Sequence, residues 1–175
     1  SNDSWSQLGA DIDGKFNNDR LGESVSLSSD GNTVAIGAYG NPSNGNASGQ
    51  VKVYNYNGTW TQLGADINGE TASDQSGSSV SLSSDGTTLA IAAPYNDGNG
   101  TNSGHVRIYN YNGNAWSQLG SDIEGEAAND YSGSSVSLSS DGKIVAIGAN
   151  NNDGNGSNSG HVRGYNYNGT IWSQL

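Results

Sequence analysis

Four tryptophans, Trp5, Trp60, Trp116 and Trp172, recur at spacings of 55, 56 and 56 residues, and each opens the same phrase, Trp-Ser/Thr-Gln-Leu. A fixed period of this length means one supersecondary unit stacked on copies of itself, because such a unit cannot bury its apolar face alone. The chain accordingly divides into a lead-in at 1–4, repeats at 5–59, 60–115 and 116–171, and the start of a further unit at 172–175.

Within a unit the side chains alternate with the period of a strand. Ser79-Val80-Ser81-Leu82-Ser83 interleaves small polar with aliphatic residues, and Thr88-Leu89-Ala90-Ile91-Ala92 does so again after an Asp85-Gly86 turn. A period of two puts the aliphatics on one face. A polar loop from Pro94 to Gly104 leads to His105–Tyr111, and Asn112-Gly113 then signals a hairpin into Trp116–Leu119. The same strands are expected at Ser24–Ser28, Thr33–Ala38, Val51–Tyr56, Ser135–Ser139, Ile144–Ala149 and His161–Tyr167. No segment has helical periodicity. Four short antiparallel strands per unit, in tandem, predict an all-β fold of β-propeller blades. A β-solenoid is the alternative, though its coils are usually shorter and rarely carry such hairpin turns. Small residues on the first two strands suit close stacking near an axis, and Trp and Tyr fill the wider outer edge.

Composition limits what such an array does. The chain holds 17 acidic residues against 6 Lys and Arg, a net charge of −11. Nucleic acid and anionic membrane both need clustered cations, which are missing here. No apolar run reaches membrane-spanning length, and the chain starts without a signal-like segment. Without cysteine there is neither disulfide scaffold nor thiol chemistry. Sequons at Asn2, Asn46, Asn57, Asn99, Asn155 and Asn168 are candidate glycosylation sites and point to an extracellular or cell-surface location.

Three stretches carry a family resemblance: Ser76-Gly77-Ser78-Ser79-Val80-Ser81, Ala90-Ile91-Ala92-Ala93-Pro94 and Gly104-His105-Val106-Arg107-Ile108-Tyr109. Together they resemble the FG-GAP repeat of integrin-α-type β-propellers, and the likeness covers all three units. There are departures. Leu21, Ser76 and Ser132 stand where the family has Phe, and the family's proline survives only at Pro94. The resemblance implies a calcium loop, but here it is cut down to Ser-Ser-Asp-Gly at Asp30, Asp85 and Asp141. One carboxylate per turn falls short of the several oxygens that calcium needs.

The remaining candidates each have a plain structural reading. Asp97 and Asp153, in Asn-Asp-Gly-Asn-Gly loops, are candidate calcium ligands, although Pro42 takes their place in the first unit. Asp11, Asp66 and Asp122 form one recurrent acidic series, and Asp19, Asp74 and Asp130 another. Recurrence in every unit suits acceptance of hydrogen bonds from turn amides. His105 and His161 correspond to Gln50, so neither makes a dependable base. No unit sets a nucleophile beside a histidine and an acid, and no enzyme activity is expected. The pairs Tyr54/Tyr56, Tyr109/Tyr111 and Tyr165/Tyr167 suit either core packing or stacking on sugars.

The tryptophan phrase occurs once more than the strands between its copies. This predicts either a piece of a longer array or a protomer whose extra strand completes a neighbour, so the expected partners are other copies or neighbouring repeats. The expected role is a non-enzymatic extracellular structural or adhesive module. The alternative is a propeller that binds glycan or protein through its loops, with calcium as a possible cofactor.

Overall fold

The structure, a computed structural model, describes residues 4–175. The described residues contain fourteen strands and no helix. The first sheet comprises β1 (Ser24–Leu27), β2 (Thr33–Ala38), β3 (Gln50–Tyr56), β4 (Trp60–Gln62) and β5 (Ile67–Asn68). The second comprises β6 (Ser79–Leu82), β7 (Thr88–Ala93), β8 (His105–Tyr111), β9 (Trp116–Gln118) and β10 (Ile123–Glu124). The third comprises β11 (Ser132–Leu138), β12 (Ile144–Ala149), β13 (His161–Tyr167) and β14 (Trp172–Gln174).

Each sheet is an antiparallel meander, with β1 to β4, β6 to β9 and β11 to β14 paired in chain order. These are propeller blades, and hairpin-linked antiparallel pairing sets the solenoid alternative aside. The anticipated strands fall within a few residues of the observed ones. Patterning did not reveal that the fourth strand comes in two pieces. Trp60–Gln62 pairs with Tyr54–Tyr56, while Ile67–Asn68 pairs with Gln50–Val51 at the other end of β3. Each blade therefore straddles two tryptophan-to-tryptophan units.

The core lies between the blades. Ala35, Val51, Val53 and Ile67 of the first sheet meet Val80, Leu82, Leu89 and Ile91 of the second, and Val106, Ile108 and Ile123 meet Val145 and Ile147 in the same way. The small residues of the first two strands let the backbones come this close: a Cβ on Gly37 would meet the Gly77 carbonyl oxygen at 2.0 Å. The serines between the aliphatics stitch the joint. Ser26 Oγ accepts from the Leu82 amide at 2.9 Å, and Ser81 Oγ from the Leu138 amide at 2.9 Å.

The tryptophans form the outer stitch. The indole N–H groups of Trp60, Trp116 and Trp172 donate to the carbonyls of Leu8, Leu63 and Leu119 at 2.8, 2.9 and 2.8 Å, each one unit back. Their rings lie 5.1 Å from Tyr56, Tyr111 and Tyr167. Trp5 has no strand to pair with among the described residues and is fully exposed.

Candidate functional site

The ionisable side chains gather where one blade meets the next. The joint between the first two blades holds His105 and Arg107 on β8, Asp122 and Glu124 on β10, and Glu70 from the linker after β5. Arg107 grips Asp122 with Nε at 3.1 Å and Nη2 at 3.0 Å, and it also pairs with Glu70. Burial opposes the charge on both partners. Their mutual hydrogen bonds nonetheless hold Asp122 below the usual carboxylate range and raise Arg107. His105 is 3% exposed, and its Nδ1, 3.7 Å from Asp122, has no hydrogen-bond partner among the described residues. Burial, reinforced by the Arg107 charge, lowers its pKa and keeps the ring neutral at pH ~7.

Ligand atoms of Glu70, His105 and Asp122 lie within 4.8 Å of one another, a spacing that could hold a metal ion. The Arg107 guanidinium already bonds to both of those acids. It supplies the positive charge that a cation would bring, so the cluster is an inter-blade ion-pair knot. The third blade repeats the knot in part, with Arg163 3.3 Å from Glu126 and His161 3.7 Å from it. In the first blade Lys15 and Lys52 occupy the matching positions, and neither has an ion pair among the described residues.

Glu124 is the uncomfortable member. Its Oε2 is buried without a hydrogen-bond partner among the described residues, and burial together with the charges of Asp122 and Glu70 raises its pKa. The folded state therefore holds this proton more tightly than the unfolded chain. Stability falls as pH rises from the ordinary carboxylate range through the raised folded value. Glu124→Gln should remove that slope and raise Tm at pH ~7 by about 2–4 °C, the shift that about 1 kcal/mol makes in a chain of this length. Melting curves across that range check it. Parallel profiles for the two proteins would count against this reading.

The other sequence candidates divide clearly. Asp19, Asp74 and Asp130 are buried acceptors. Each takes turn amides and the side chain of an asparagine 22 residues on: Asn41 at 2.6 Å, Asn96 at 3.0 Å and Asn152 at 2.8 Å. Asp11, Asp66 and Asp122 accept from Gln7, Gln62 and Gln118. Asp30, Asp85 and Asp141 accept from the serine two residues before, Ser28, Ser83 and Ser139, at 2.6 Å, and those bonds lower their pKa values. Asp97 and Asp153 are exposed, and each accepts a loop amide at 2.7 Å, from Asn102 and Asn158. No second acid or histidine joins either of them in a metal-like cluster among the described residues.

Tyr109 and Tyr165 pack against the inter-blade cores, and burial raises the pKa values of Tyr54, Tyr109 and Tyr165, as packing requires. Sequons at Asn46, Asn57, Asn99, Asn155 and Asn168 are exposed, while Asn2 lies outside the described residues. The Asn99 amide is already in use, donating to the carbonyls of Gly125 and Glu126. Sequence reasoning missed the buried asparagines and the Arg–Glu knots. The asparagines' signal was their constant offset of 22 residues from an aspartate in every unit; the Arg–Glu pairs recur only in the second and third blades.

A cleft of about 300 Å³ opens between the loops of the second and third blades, lined by Pro94, Tyr95, Tyr131, Ser134, Asn150 and Asn151. The Tyr95 and Tyr131 rings meet edge to face at 5.1 Å. Neither tyrosine recurs in the other units, so this cleft is peculiar to one joint.

Blades of this construction define a β-propeller repeat protein. The sequence matches the FG-GAP repeat at 12–54, 68–109 and 124–162, and the chain belongs to that family. No curated protein matches it. Among solved structures it is similar to Kuenenia stuttgartiensis Hydrazine Synthase, with a TM-score of 0.55 and 13% identity over 94% of this chain and 38% of that one. Identity that low speaks for the fold alone. The chain spans well under half the length of that protein.

Proposed function

We propose that the chain is a non-catalytic structural and adhesive repeat module of the cell surface or extracellular matrix, joined to its neighbours through the faces of its end blades. The supporting observation is that interior and end faces share one chemistry but not one environment. Val80 and Leu82 are buried at an inter-blade joint, whereas their equivalents Val25 and Leu27 are 62% and 59% exposed. Val106 is fully buried, whereas its equivalent Val162 is 72% exposed. Apolar blade faces of this kind favour association. No helix among the described residues is long and apolar enough to cross a membrane, and the exposed sequons suit an extracellular location.

The test is capture between surfaces. Beads coated with the protein should bind fluorescently labelled protein, and Val162→Arg in both the coated and the labelled protein should reduce capture at least tenfold. Equal capture by the variant would sink the reading.

The Tyr95–Tyr131 cleft favours a second reading, a glycan-binding propeller. Exposed aromatic edges beside asparagine amides are groups on which sugars stack and hydrogen-bond. Calcium enters this reading through Asp97 and Asp153. A glycan array probed with and without a chelator tests both parts, with Tyr95→Ala as control. An array without hits would eliminate it.

A further inference from the structure

We propose that Asn57-Gly58, at the tip of the β3–β4 hairpin, is a self-modifying site, where the asparagine cyclises onto the next nitrogen and hydrolyses to aspartate and isoaspartate. Asparagine before glycine is the pair most open to this reaction, because no Cβ hinders the glycine nitrogen as it approaches the side-chain carbonyl carbon. The chain holds seven such pairs, and the fold restrains all but this one.

Ring closure asks two things of the structure. The glycine N–H must be unengaged, so that it can lose its proton and attack. The asparagine side chain must also be able to turn its Cγ onto that nitrogen. Four pairs fail the first condition. Gly45, Gly100 and Gly156 donate within the long loops to the carbonyls of Pro42, Asp97 and Asp153, each at 3.1 Å, and Gly69 donates to Gly49 at 2.9 Å. Asn44 and Asn99 are also anchored through their side-chain amides, to the carbonyls of Gly69 and Gly125.

The other three pairs sit at the tips of the β3–β4, β8–β9 and β13–β14 hairpins, each preceded by the same Tyr-Asn-Tyr. The amides of Gly58, Gly113 and Gly169 have no acceptor among the described residues. Two of these pairs fail the second condition. Asn112 Oδ1 accepts from the amides of Asn114 and Ala115 at 3.0 and 2.9 Å, and Asn168 Oδ1 from those of Thr170 and Ile171 at 3.0 Å each. These bonds pin the side chain in its turn. Asn57 has no side-chain hydrogen bond among the described residues.

The cause is the missing residue that makes the first tryptophan spacing 55 instead of 56. Asn112–Ala115 and Asn168–Ile171 connect a tyrosine to a tryptophan through four residues, whereas Asn57–Thr59 has three. The Asn57 amide still closes the loop onto the Thr59 carbonyl at 3.2 Å, as the Asn112 amide does onto Ala115. The shorter turn brings no amide to the Asn57 side chain. Asn57 and Gly58 are both exposed, with open space around Gly58.

Water is the only co-reactant. The Gly58 nitrogen gives up its proton and bonds to Asn57 Cγ, the Cγ–Nδ2 bond breaks, and ammonia leaves with that proton. Water then opens the cyclic imide at Cγ to give aspartate, or at the Asn57 main-chain carbonyl to give isoaspartate. The second route inserts a carbon into the backbone between Tyr56 and Trp60, which face each other across the hairpin. Both routes add a negative charge. Both also remove the Nδ2 through which the Asn57-Gly58-Thr59 sequon would carry a glycan, so conversion and glycosylation exclude each other.

The unglycosylated protein, held in mildly alkaline buffer at body temperature, provides the test. Peptide mapping by mass spectrometry, with isoaspartyl methyltransferase labelling, should find Asn57 converted at least tenfold faster than Asn112 or Asn168. In denaturant the three rates should converge, since each is then a plain Asn-Gly pair. Inserting alanine after Thr59 restores a four-residue loop and should slow Asn57 at least tenfold, while deleting Asn114 should speed Asn112. Equal rates in the folded protein overturn the proposal, as does a difference that persists in denaturant. Insertion and deletion that both leave the rates unchanged overturn the loop-length cause. If either variant fails to fold, the comparison of native with denatured protein decides.

Discussion

Gly104→Ala is expected to cost about 4 kcal/mol and to lower Tm by roughly 10 °C. Gly104 has φ +74°, where an L side chain is strained, and its Cβ would lie 2.2 Å from the Ser132 carbonyl oxygen and 2.6 Å from the Ser132 nitrogen. Both atoms belong to the backbone of the next blade, and Ser132 is tied there by its amide to the Ser103 carbonyl at 2.9 Å. The clash cannot be relieved by a rotamer change. It has to push the second and third blades apart and open the core between Val106, Ile123 and Ile147.

The chain carries its own control. Gly160 is the same residue one unit later, with φ +68°, yet its Cβ would meet only the Asn150 backbone, at 3.0 Å. Gly160→Ala therefore retains the conformational strain and loses the inter-blade clash, and it should cost about 1 kcal/mol. Calorimetry on the two variants, dilute enough to keep the protein unassociated, separates the effects. Equal shifts in Tm would show that left-handed strain, rather than blade contact, makes these glycines necessary.

The contrast also explains what the sequence made legible. Alternation along Val80–Leu82 and Leu89–Ile91 is enough to read strands and their apolar face. The Asn-Gly and Asp-Gly turns then distinguish an antiparallel blade from a solenoid coil. The two-piece fourth strand was hidden because Ile67–Asn68 is too short to show a period, and its pairing with Val51 depends on the Leu63–Asp66 stretch bending past β3. The inter-blade knot was hidden for another reason. Arg107 and Glu70 lie far apart in sequence, and only stacking brings them together. Asp19, Asp74 and Asp130 were legible as turn acceptors because each recurs in its unit. Their asparagine partners were not, since the loops that hold Asn41 and Asn96 read as polar filler until they fold inward.

Asp74→Ala is expected to cost about 3 kcal/mol, because it removes several bonds from a buried site. Asp74 is 4% exposed and forms no ion pair among the described residues. Its charge is met by the Thr71 amide at 3.1 Å, the Thr71 hydroxyl at 3.0 Å and the Asn96 amide at 3.0 Å. Charge-assisted bonds of this kind are about twice as strong as neutral ones, and each orphaned buried donor adds its own penalty. The loss falls on the linker that carries the chain from blade 1 into blade 2. Thr71 closes the turn through its hydroxyl and amide, and Asn96 anchors that turn to the long loop of blade 2. A double-mutant cycle with Asn96→Ala isolates the second of these links and should give a coupling of about 1 kcal/mol. Strict additivity would mean that the turn stands without the loop. Asp74→Asn provides the finer test. All three bonds end on Oδ2, so the asparagine oxygen can keep them and only the carboxylate's charge is lost; it should recover about half of the lost stability. Full recovery would show that geometry, rather than the carboxylate's charge, holds the linker in place.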